Sequence, residues 1–101
     1  MSKRMYIICR EDLSPLYAAI QGGHALAAHA LEHPEDFKDW NNSFLIYLKK
    51  KNEQGLIKLY DKLTSIGVKC GKFFEPDIGH QLTAISCYAD PRTFKNLDLL
   101  K

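Results

Sequence analysis

Residues Met5 to Arg10 read MYIICR, and shortly after them Ser14-Pro15 opens a long run dominated by alanine and leucine. The β-branched and aromatic run, ended by the polar Glu11 and Asp12, suits a buried strand. Serine followed by proline suits a helix start, because the serine can cap exposed amides and a proline at the first helical position gives up no needed donor. The helix is predicted from Pro15 to about Leu31. A strand that feeds a helix of this length commits the chain to a crossover, and a crossover returns the next strand parallel to the first.

The alternation continues down the chain. Pro34 lies just beyond the first helix, and EHPEDFKDWNN reads as a short helical or irregular connection whose Trp40 closes one side of the core. SFLIYLKK is a second strand. From Asn52 to Ile66, Leu56, Leu59, Tyr60 and Leu63 recur at helical spacing, and Gly67 stands where a glycine cap belongs. VKCGKFF is a third strand, EPDIGHQ a tight polar turn, LTAISCYA a fourth strand, and DPRTFKNLDLLK has room for a short closing helix. The expected class is α/β: elements in the order βαβαββ, forming a three-layer, four-stranded mixed sheet with helices on both faces. With 101 residues, 46% of them hydrophobic, the chain has enough core for one domain over residues 1–101.

Composition excludes several classes. A net charge of +2 falls short of the basic excess that by itself marks a nucleic-acid binder. Cys9, Cys70 and Cys87 lie in apolar strand-like runs without a CxxC pair, which argues for reduced thiols rather than a disulfide framework or a zinc site. The first residues fail as a signal peptide and no apolar run approaches membrane-spanning length, so a soluble, cytoplasmic protein is expected. His29 and His33 are four apart but lack a third ligand at sensible spacing, and both are expected to face solvent. No metal or cofactor is expected. Lys49, Lys50 and Lys51, with Lys3, Arg4, Lys69 and Lys72, read either as a solvated strand end or as contacts to a phosphate backbone.

Within the first helix the stretch YAAIQGGHALAA accepts two adjacent glycines, each costing about 1 kcal/mol relative to alanine. At 100° per residue, Tyr17, Gln21, His24 and Ala28 form a narrow polar arc. Leu16, Ala19, Ile20, Gly23, Leu26, Ala27, Ala30 and Leu31 form a broad apolar arc expected to face the sheet, which would put Gly23 at the close contact. Gly22 falls with Ala18, Ala25 and His29, a strip of small residues expected to open access to Gln21 and His24. Histidine suits acid/base work near neutral pH. In KFFEPDIGHQLTAI, Glu75 and Asp77 follow a strand end, where α/β folds commonly carry their sites. Asp77 reaching His24 would make an acid/base pair from distant segments.

These segments together resemble the type II peptidyl-tRNA hydrolase family, over nearly the whole chain. CREDL matches the family's first strand end through Arg10, Asp12 and Leu13. Gln21 and His24 match its Gln-x-x-His spacing, and Asp77 and Gly79 its Asp-x-Gly. Two positions depart: Tyr17 stands where the family has lysine, and Gln81 where it has threonine. The turn after Gly79 is also shorter. The resemblance implies a cytosolic α/β protein, commonly a homodimer, that hydrolyses the ester between a peptide and the tRNA 3′ ribose. It implies that His24 and Asp77 position or activate water, with Gln21, Tyr17, Arg10 and Gln81 lining the substrate site. Two alternatives stand beside it. One is a non-catalytic tRNA- or ligand-binding module that kept the fold but lost the lysine and threonine. The other is a dimer in which the strip Ala18, Gly22, Ala25 is only a subunit contact.

Overall fold

The strand-like runs MYIICR and LTAISCYA become the two central strands. The computed structural model describes residues 3–97. They form β1 (Arg4–Arg10), α1 (Pro15–Glu32), α2 (Pro34–Trp40), β2 (Leu45–Lys50), α3 (Glu53–Ser65), β3 (Cys70–Glu75), a 3₁₀ turn at Pro76–Ile78, β4 (Gln81–Ala89) and α4 (Arg92–Leu97). The last four residues of the expected closing segment lie outside the described residues. The fold is α/β, with one mixed sheet in the order β2-β1-β4-β3. β1 and β2 are parallel, and β4 runs antiparallel to both β1 and β3. β1 and β4 are buried along almost their whole length, as a strand covered on both faces must be. β2 and β3 alternate between exposed and covered residues and carry lysines, as edge strands do.

Side-chain alternation along β1 builds two cores. Tyr6 and Ile8 point to a layer closed by Leu56, Leu59 and Leu63 of α3 and Phe94 of α4. Met5, Ile7 and Cys9 point to the opposite layer, closed by Ala18 and Ala25 of α1 and by Trp40 of α2. Asn52 caps α3 by accepting the Gly55 N–H at 3.0 Å, and Gly67, at φ 85°, ends it in the left-handed conformation. Ser14 precedes α1 as expected, but its side chain makes no capping bond.

The face that α1 turns to the sheet is the reverse of the one expected. Ala18, Gln21, Gly22, Ala25 and His29 are buried, while Leu16, Ile20 and Leu31 are 75%, 51% and 84% exposed. The physical reason is proximity. A Cβ at Gly22 would lie 2.8 Å from Ile7 Cγ2 and from Tyr47 Cε2, so the helix backbone sits directly on β1 and β2 side chains. Gly71 of β3 makes the complementary allowance, since a Cβ there would lie 2.7 Å from His29 N and 2.8 Å from the Ala25 carbonyl oxygen. Ala18, Gly22 and Ala25 take the points of closest contact because only small residues permit such an approach. The two glycines therefore exchange the roles expected of them: Gly22 makes the close contact and Gly23 faces open space. The strip Ala18, Gly22, Ala25 packs on the sheet and is not available as a subunit contact.

Candidate functional site

Because α1 lies so close to β3, alternate residues of the strand meet successive turns of the helix. Gly71 lies against Ala25 and His29, Phe73 against His24, and Glu75 against Gln21. Gln21 is 1% exposed, and both ends of its amide are engaged. Its Nε2 donates to Glu75 Oε1 at 2.9 Å, and its Oε1 accepts the Thr83 hydroxyl at 2.7 Å. Thr83 reaches this position through a bulge. Phe73 pairs with Ala84 and Phe74 with Leu82, leaving Thr83 as the extra residue of β4. A bulge re-aims a side chain, and here it turns the hydroxyl toward α1.

His24 is exposed, and its ring stacks on Phe73 with centroids 4.2 Å apart and planes 13° from parallel, so the imidazole is held in one orientation at the surface. The carboxylate of this cluster is Glu75. Its other oxygen accepts the Asp77 backbone N–H at 3.2 Å. The Gln21 amide, then that backbone N–H, and His24 nearby hold the Glu75 carboxyl below its ordinary range, so it is ionised at neutral pH. Among the described residues Asp77 makes no side-chain hydrogen bond to His24. Partial desolvation, then the charges of Glu75 and Asp77, push the Tyr17 phenol above its ordinary value. Tyr17 thus stands at the same mouth as a neutral donor. The structure brings together Tyr17, Gln21 and His24 with Glu75, and adds Thr83 and Phe73, which sequence reasoning passed over. Phe73 and Glu75 share a face of β3 by the strand's period of two, and that period was the available signal.

Arg10 and Gln81 belong to a different cluster. The buried Arg10 guanidinium grips Asp12 through two bonds of 3.0 and 2.9 Å, and its Nη1 donates to Gln81 Oε1 at 2.9 Å and to the Leu82 carbonyl at 3.1 Å. That bidentate pairing raises the Arg10 pKa and lowers that of Asp12. Arg10 and Gln81 therefore tie the end of β1 to the start of β4, and among the described residues no side-chain hydrogen bond joins them to the Gln21 cluster. A separate cleft of about 270 Å³ opens on the other flank of α1, over Cys9, Leu13, Pro15, Ala18 and Tyr47.

His29 corrects another expectation. It is buried rather than solvent-facing, with Nε2 2.9 Å from Asp36 Oδ2 and Nδ1 3.3 Å from Ser86 Oγ. This serine–histidine–aspartate chain is structural. Ser86 is fully buried and its hydroxyl donates to the Ala25 carbonyl at 2.9 Å, so neither substrate nor solvent reaches it. Burial lowers the His29 pKa against the pull of Asp36. His33 is half-buried, 3.2 Å from the Cys70 carbonyl oxygen. All three cysteines are buried free thiols, and desolvation raises Cys9 to about 11 and Cys70 to about 12, which leaves them poor nucleophiles. Among the described residues no helix is long and apolar enough to cross a membrane. Compared with known proteins, the chain matches no family model and no curated protein.

Proposed function

We propose that the chain has the fold of the type II peptidyl-tRNA hydrolases and hydrolyses the ester between a peptide and tRNA, or a related ester. The observation that carries the reading is the buried Gln21 amide, fixed by Thr83 and Glu75, directly beside the exposed and oriented His24. In this reading a water placed between His24 and the ester loses a proton to the imidazole as its oxygen bonds to the carbonyl carbon. The bond from that carbon to the ribose oxygen then breaks, and the proton passes to the departing oxygen. Glu75, ionised, stabilises the imidazolium. Tyr17 donates to the developing oxyanion, a weaker stabiliser than the lysine of the family pattern. Gln21 acts as a positioning residue, because its two engaged ends fix where Glu75 lies. The hydroxyl missing at Gln81 is supplied to the cluster by Thr83.

A homodimer in the cytoplasm completes the proposal. The outer face of α1 supports self-association: from Pro15 to Leu31 the helix has no aspartate, glutamate, lysine or arginine, and it exposes Leu16, Ile20 and Leu31. One observation favours the second reading, a non-catalytic tRNA- or ligand-binding module: Tyr17 carries no positive charge at the mouth of the site. Incubation with an N-blocked aminoacyl-tRNA separates the two. Hydrolysis liberates free tRNA above the spontaneous rate, whereas a binding module retains the intact ester.

A further inference from the structure

The lysine run at the end of β2 straddles the sheet. Strand alternation sends Lys49 to the α1 side, where it borders the cleft over Cys9, and Lys50 to the α3 side. On that side a shallow groove of about 210 Å³ lies between β2 and α3, lined by Lys50, Gly55, Lys58, Leu59 and Lys62. Three of these five residues are cations and none is an acid. The stem of Lys50 lies along Gly55: a Cβ there would be 3.8 Å from Lys50 Cβ and 3.9 Å from its Cε. That packing lays the aliphatic stem of Lys50 against α3 at the edge of the groove it lines. Lys58 and Lys62 stand one helical turn apart, about 6 Å along the axis. Glu53, at the start of α3, accepts the Leu82 N–H at 2.8 Å, and Asp61, next to Lys62, is exposed but does not line the groove. Among the described residues none of the three lysines forms an ion pair.

Three cations gathered around one groove whose lining holds no carboxylate form a site for a row of anions. We infer that the groove binds the phosphodiester backbone of an RNA. Its relation to the candidate site supports this choice. Lys50 pairs with Arg10 in the β1–β2 register, and the same end of the sheet continues through β4 to Glu75 of β3. At about 4.8 Å per strand, that rim spans about 14 Å from Lys50 to Glu75, a length that a few nucleotides of a single-stranded 3′ end cover. The assignment of this RNA as the one bearing the ester rests on the function proposed above.

The test measures binding of deacylated tRNA by fluorescence anisotropy between about 50 and 200 mM salt. The expected result is that Lys58→Gln/Lys62→Gln makes the slope of log affinity against log salt shallower by about 2, one unit for each phosphate no longer neutralised, and that Lys58→Arg/Lys62→Arg restores it. Both positions are exposed, so the fold is not at stake; circular dichroism checks this. An unchanged slope, no binding of tRNA by the wild-type chain, or equal competition by polyglutamate of matched charge would overturn the inference. The two proposals fail separately. A slope that depends on the lysines without any ester hydrolysis leaves the groove standing and removes the hydrolase, and hydrolysis with an unchanged slope does the reverse.

Discussion

The Thr83 hydroxyl donates to the Gln21 side-chain oxygen at 2.7 Å, joining β4 to α1 across 62 positions of chain. Both groups are buried, so removing one strands the other. Thr83→Val keeps the shape and deletes the donor, and it should destabilise the protein by about 1–3 kcal/mol in urea denaturation. Thr83→Ser, which keeps the donor, should recover much of that loss. Equal stability of the Val variant and the wild type would show that the bond contributes nothing to the fold.

The adjacent glycines of α1 should respond oppositely to the same substitution. Gly22→Ala places a methyl 2.8 Å from Ile7 and Tyr47, and overpacking of this kind costs about 1–3 kcal/mol. Gly23→Ala meets open space, and it should raise stability by up to about 1 kcal/mol through helix propensity. Thermal melts of the two variants decide the point: a reversed order would contradict the close seat of α1 on the sheet.

How α1 sits also marks where the sequence was legible and where it was not. The β-branched and aromatic runs, and the Ser-Pro and glycine signals at the helix ends, identified the strands, the class and the mixed sheet, because those signals are local. Which side of α1 faces inward was not local. Leu16, Ile20 and Leu31 outweigh Ala18 and Gly22 in hydrophobicity, yet the contact is decided by what lies beneath the helix, and Gly71 of β3 and Ile7 of β1 are distant in sequence. The polar arc of Tyr17, Gln21 and His24 was legible as a period. That Glu75 rather than Asp77 bonds to Gln21 was not legible, because the turn, read alone, does not reveal that Phe73 and Glu75 share the face that meets α1. Thr83 was hidden by the bulge, which breaks the alternation that would otherwise have indicated its direction.

The exposed apolar face of α1 carries its own prediction. If two copies pack through it, Ile20→Asp should shift the mass seen in light scattering from dimer to monomer while leaving the circular dichroism spectrum unchanged. A wild-type chain that is already monomeric at high concentration would rule out the homodimer.

His29 sets a pH dependence of stability. Burial lowers its pKa in the folded state below the ordinary value of 6.5, so between the folded value and 6.5 the unfolded chain binds more protons. Stability is therefore fully present above about pH 6.5 and declines as the pH falls toward the folded value. Denaturant midpoints measured from pH 8 to pH 5 should fall in the wild type and fall less steeply in His29→Gln. Parallel profiles for the two proteins would exclude His29 as the cause.

In the proposed hydrolase, Glu75 and His24, rather than Asp77 and His24, are the working pair of the site. The rate of tRNA release from an N-blocked aminoacyl-tRNA, compared between the wild type and three variants, distinguishes the two pairings. Losses of about 100-fold or more are expected for His24→Ala and for Glu75→Gln, within the usual range for removing acid–base groups, and a loss of less than about tenfold for Asp77→Asn. Release by the wild type with the large loss at Asp77→Asn and little change at Glu75→Gln would contradict the pairing of Glu75 with His24.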